Sequence, residues 1–95
     1  MVVGILKVDF FLAANRSLKG KRKVIKSIID RVRAKFNVAV AEVASNELWQ
    51  RIELGFVVVA NENRHADSML NEICSYVRSI SVAEVVNIEM ELIGI

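Results

Sequence analysis

The apolar residues of this chain recur with two different periods, and the order in which those periods follow one another constrains the fold more than any other feature. From Val2 to Leu12 they alternate, with Leu6, Val8 and Phe10 on one side and Lys7 and Asp9 on the other, the period of a half-buried strand. From Leu18 the spacing changes to that of a helix, through Ile25, Ile28, Ile29, Val32 and Phe36, with Ser17 placed to cap the first turn. Val38 to Ala44 and Gln50 to Ala60 are valine-rich and read as strands joined by a turn over Ser45 to Leu48. A second helical stripe follows through Ala66, Met69, Leu70, Ile73, Val77 and Ile80. Ala83 to Ile93 then alternates again, setting Val86, Ile88, Met90 and Leu92 against Asn87, Glu89 and Glu91. With no proline and only four glycines, the boundaries rest on these changes of period and on clusters of asparagine and serine.

The resulting order, β-α-β-β-α-β, is the split βαβ arrangement of ferredoxin-like α+β folds. Right-handed crossovers place the first and third strands at the centre of a four-stranded antiparallel sheet and both helices on one face. The other face is open, and the alternation assigns to it Lys7, Asp9, Glu53, Glu89 and Glu91, with Phe11, Val57 and Val59 as apolar company. A face this mixed is either solvated or half covered by a second copy of the chain. Ninety-five residues suit one such domain spanning 1–95.

Composition removes several classes of function. One cysteine, Cys74, and one histidine, His65, cannot build a Cys/His zinc site, an internal disulfide or a His-pair metal centre. Cys74 reads as a small core hydrophobe and His65 as a surface residue. The stretch from Met1 to Ala14 is interrupted by Lys7 and Asp9 and lacks a basic leader, so it does not read as a signal peptide, and no apolar run approaches the roughly 18 residues of a membrane span. The expected setting is a reducing cytoplasm, in which the Asn15-Arg16-Ser17 glycosylation triplet has no meaning.

The formal net charge is only +2, but it is distributed unevenly. Between Arg16 and Lys35 nine basic residues face one acid, Asp30, leaving +8; the rest of the chain, with four basic and ten acidic residues, carries −6. On a helical wheel Lys19, Lys23, Lys26 and Arg33 fall on one flank of the apolar stripe, with Arg22 at its margin. Cations in the first turns of a helix oppose its dipole at roughly 0.3–1 kcal/mol each. The like-charged pairs Lys19/Lys23 and Arg22/Lys26, four residues apart, add to that cost. Three readings follow: a solvated face, a surface for phosphates, or a head-to-tail contact with the acidic part of another copy.

Other features match specific chemistries only in part. Leu54-Gly55-Phe56-Val57-Val58-Val59 half-matches an RNA-recognition-motif octamer, but Phe56 shares the phase of Ile52 and Val58 and so faces the helices. Arg16 lies where acylphosphatase-like enzymes hold phosphate, yet Leu12-Ala13-Ala14-Asn15-Arg16-Ser17 lacks a glycine-rich cradle. Glu53, Glu89 and Glu91 sit on an exposed strand face without a histidine or nucleophile in phase, which reads as solubilising. Trp49, next to Leu48 just past the hairpin turn, either caps one end of the core or anchors a dimer.

The strings SLKGKRKVIKSI (17–28), FNVAVAEV (36–43), LWQR (48–51) and Leu54-Gly55 together resemble the YlxP-like family of bacterial proteins of unknown function. The resemblance covers almost the whole chain and implies a ferredoxin-like domain, often dimeric, with no established catalytic residues. Its genes commonly neighbour those for translation initiation and ribosome maturation, which implies a link to RNA or the ribosome. Gly20 stands where the family more usually carries an acid, so this helix start is still more basic.

The expectation is a non-enzymatic cytoplasmic protein that grips RNA or ribosomal phosphates with Arg16, Lys19, Lys21, Arg22, Lys23, Lys26 and Arg33, without metal, cofactor or membrane. The alternative is a self-assembling or small-ligand-sensing domain, homodimeric through its open sheet with Leu48 and Trp49 at the interface.

Overall fold

The computed structural model describes residues 1–80 and 83–95. Six elements follow the order read from the periods: β1 (Val2–Phe11), α1 (Leu18–Lys35), β2 (Ala39–Ala44), β3 (Arg51–Ala60), α2 (Asn63–Ile80) and β4 (Glu84–Gly94). The strands form one antiparallel sheet in the order β2-β3-β1-β4, so β1 and β3 are central. Helix α2 lies over β1, β3 and β4, and α1 over β2 and against α2. The fold is the ferredoxin-like α+β arrangement.

Register decides which side chains meet the helices. Leu6 pairs with Phe56, Val8 with Leu54 and Phe10 with Ile52, and all six are fully buried. Against this double row pack Ile25, Ile28 and Val32 of α1 and Leu70, Ile73 and Val77 of α2. Burying a side chain of this size stabilises by about 1.5–3 kcal/mol. Cys74 joins this core as a buried free thiol.

Local chemistry sets the helix ends. The Ser17 hydroxyl accepts from the Gly20 amide at 3.0 Å, satisfying one of the unpaired donors of the first turn of α1. At the other end Phe36 turns to extended backbone and its ring meets Tyr76 edge-on, centroids 5.7 Å apart, which fixes the end of α1 against α2.

The sheet departs from strict alternation twice. A bulge in β4 opposite Asp9/Phe10 pairs Asp9 with Asn87 but Phe10 with Val85. Of the expected stripe Val86, Ile88, Met90 and Leu92 only Ile88 packs on the core: Val86, Met90 and Leu92 are exposed on this edge strand, and Val85 takes the inward place before the bulge. One extra residue reverses the inward phase beyond it, a shift that a period-2 reading cannot place. The second bulge lies in β2 between Glu42 and Ala44, beside Val43, which stands on the open face close to Gly55.

Candidate functional site

Helix α1 presents most of its cations to solvent. Arg16 in the preceding loop, and Lys19, Arg22, Lys23, Lys26 and Arg33 on the helix, are all exposed. The first turn contains no acid. Lys26 is paired with Asp30 at 2.6 Å across one helical turn, and Arg33 donates to the Val40 carbonyl at 3.2 Å. Among the described residues, no ion pair involves Arg16, Lys19, Arg22 or Lys23. Arg31, Arg33 and Lys35 are likewise exposed without an ion pair among the described residues, so positive charge runs the length of the helix, with Arg16, Lys19, Arg22 and Lys23 grouped around its start.

Lys21 does not belong to that surface, and its place among the residues expected to grip phosphates is corrected. Its side chain is 1% exposed, and Nζ lies 3.0 Å from Glu42 Oε2 and donates to the Ser45 carbonyl at 2.6 Å. The physical reason is phase: Lys21 stands four, seven and eleven residues before Ile25, Ile28 and Val32, on the stripe that faces the sheet. Glu42 is in phase with Val40 on the helix-facing side of β2, because it pairs with the buried Leu54 as Val40 pairs with Phe56. Two opposite charges at core positions thus tie the start of α1 to the edge strand.

The open face carries a charge network at one end. Lys7 Nζ donates to Glu53 Oε1 at 2.8 Å and to Asp9 Oδ1 at 2.9 Å, with Glu89 3.9 Å away. Arg51 donates to Asp9 Oδ2 at 3.1 Å, and the Ser45 hydroxyl donates to Glu53. Asp9, assigned by the alternation to the open face, lies on that face but is buried under these two cations. Hydrogen bonding to Glu53, then to Asp9, raises the Lys7 ammonium to about 12. The bonds from Lys7 and then Ser45 hold Glu53 below its ordinary 4.5. Every charge in this cluster has a partner, which describes a structural clamp rather than a site awaiting a substrate. Ser45 is its hinge point: it has φ of 59°, the left-handed region, and its carbonyl also accepts from the Leu48 amide at 3.0 Å.

Beyond the network, the loop after β1 and the β2–β3 hairpin are stitched together. The Leu12 amide donates to the Gln50 carbonyl at 2.7 Å, Gln50 Nε2 donates to the Ala13 and Asn15 carbonyls, and Asn15 Nδ2 donates to the carbonyls of Ser17 and Trp49. This holds Leu48 and Trp49, each 53% exposed, beside Phe11, Arg16 and Arg51 around an open cleft of about 730 Å³. Trp49 does not cap the core. A Cβ at position 20 would collide with the side-chain oxygen of Asn15, so Gly20 leaves room for the residue that does the stitching.

A larger furrow of about 860 Å³ lies along α2 beside the C-terminal end of α1, lined by Lys35, Asp67, Glu72 and Tyr76 among others. Lys35 already sits 4.6 Å above the Tyr76 ring, and the remaining charges there are acidic, so the furrow lacks convergent chemistry. Among the described residues no group of three or more His, Cys, Asp or Glu is placed to hold a metal ion. No described helix is long and apolar enough to cross a membrane.

The fold and surface together define a ferredoxin-like domain with a polar, cationic helix face and an exposed aromatic cleft. Residues 3–90 match the family described as "Protein of unknown function (DUF503)", and the chain belongs to that family. It is 29% identical over 83 residues to the uncharacterized protein YlxP of Bacillus subtilis (strain 168), covering 87% of this chain and 90% of that protein. Among solved structures it is similar to a dimeric ferredoxin-like protein from an uncultured marine organism, at 12% identity and a TM-score of 0.44, covering 98% of this chain and 94% of that one.

Proposed function

We propose that this chain is a non-enzymatic, cytoplasmic binding protein that engages the phosphates of RNA, free or within the ribosome, through the first half of α1. The observation that carries the reading is the exposed set Arg16, Lys19, Arg22 and Lys23, placed where the helix dipole disfavours cations and where no described acid neutralises them. Lys26 and Arg33 extend the surface along the helix. A phosphate chain would draw on the side chains, the free amides of the first turn and the dipole at once. Lys21 belongs to the scaffold that holds this surface in place. Co-sedimentation with ribosomal subunits tests the reading. Reversing Lys19, Lys23 and Lys26 to Glu should abolish it while circular dichroism stays native, and the double variant Lys21→Met with Glu42→Leu should leave it intact; undiminished binding by the triple variant would overturn the reading.

A second reading, self-association through the open sheet, has its own observation. Val43, Val57 and Val59 are exposed on one half of that face, where a shallow groove of about 320 Å³ runs between Val43 and Ile5 over Gly55. The molecular mass in solution tests it.

A further inference from the structure

We infer that the cleft beside Trp49 receives an unpaired nucleobase, so that the nucleic acid this protein prefers is single-stranded. The inference rests on the phosphate-binding reading of α1 and adds to it a second point of contact with a different chemistry.

An exposed tryptophan at a hairpin end is usually mobile, but this one is held by its backbone. The Asn15 side chain donates to the Trp49 carbonyl at 2.5 Å, and the neighbouring Gln50 is bonded through both side chain and backbone to the loop after β1. A large aromatic surface is thereby presented to solvent on a fixed support, the preorganisation a stacking platform needs. Around the same cleft stand Phe11 and two guanidinium groups. That of Arg51 is fixed by Asp9, so it offers an oriented plane more than a free charge. Arg16 has no ion pair among the described residues and continues directly into the helix start. A strand whose phosphates follow Arg16, Lys19 and Lys23 would bring its next base to the indole. The base offers a π-face to Trp49, and its phosphate lies within reach of Arg16.

Charge argues against a second copy as occupant. Two-fold pairing through this cleft would bring the same uncompensated Arg16 in from both sides, whereas a nucleotide supplies the opposite charge. Duplex RNA keeps its bases stacked and cannot offer one to the cleft.

Trp49 is the only tryptophan, so its fluorescence reports the cleft alone. The test titrates the intact protein at low salt with an oligouridylate of about twelve nucleotides and with an RNA duplex of similar length. The expected result is quenching by the single strand and not by the duplex. Single-strand affinity, read by anisotropy of labelled RNA, should be weakened roughly 5- to 100-fold by Trp49→Ala and much less by Trp49→Phe. Equal binding of both RNAs with unchanged fluorescence overturns the stacking contact and leaves the α1 reading standing. Failure of both RNAs to bind overturns the two together. Emission that shifts on dilution without RNA, with Trp49→Ala converting a dimer to monomers, assigns the cleft to a second copy and overturns the inference.

Discussion

The Lys21 ammonium lies 3.0 Å from the Glu42 carboxylate, both carried on faces that otherwise hold only core residues. Removing one partner of such a pair leaves the other charge desolvated and alone. Lys21→Met should therefore destabilise the fold by about 3 kcal/mol, the low end for buried pairs, because Glu42 keeps 21% of its side chain exposed. Lys21→Met combined with Glu42→Leu should recover most of that loss. Urea denaturation of the four proteins in the double-mutant cycle measures it; additive effects would show that the pair is not coupled.

Gly55 pairs with Lys7 on one side and Ala41 on the other, and an added Cβ would stand 2.9 Å from Val43 Cγ1. Gly55→Ala should destabilise by about 1 kcal/mol through overpacking, and Val43→Ala in the same chain should relieve it. Thermal unfolding of the single and double variants checks this; a stabilising Gly55→Ala would mean that Val43 moves aside freely.

The clamp around Lys7 has opposite consequences at the two ends of the pH scale. Glu53 titrates below its ordinary 4.5 in the folded protein, so its contribution is complete above that value and disappears as pH falls through the depressed one. Lys7 titrates at about 12 rather than 10.5, so its contribution is complete below 10.5 and is lost as pH rises through about 12. Glu53→Gln should flatten the acid limb of a plot of urea midpoint against pH, and Lys7→Gln should flatten both limbs. Unchanged limbs in both variants would contradict the assignment.

The element order, the Ser17 cap and the inward rows of β1 and β3 were all legible in the sequence, because each rests on a local period or a single side-chain bond. Lys21 is legible as well, since its spacing to Ile25 and Ile28 is that of the core stripe, although a lysine ordinarily marks a solvated position; Glu42 shares the phase of Val40 in the same way. The bulges were not legible, as they depend on pairing across strands. Nor was the cleft, which exists because Asn15 reaches Trp49, 34 residues away in the chain. Asp9 alternates correctly onto the open face, but only the long side chains of Lys7 and Arg51 bury it there.

The central claim is that α1 binds phosphates through Arg16, Lys19, Arg22, Lys23 and Lys26, and the most direct measurement is the salt dependence of RNA affinity. Roughly five neutralised phosphates on a single strand predict that log affinity falls linearly with log salt with a slope of about −3 to −4. The slope should collapse toward zero, along with the affinity, when Lys19, Lys23 and Lys26 are replaced by Glu. Binding whose strength does not change between low and high salt would contradict the account.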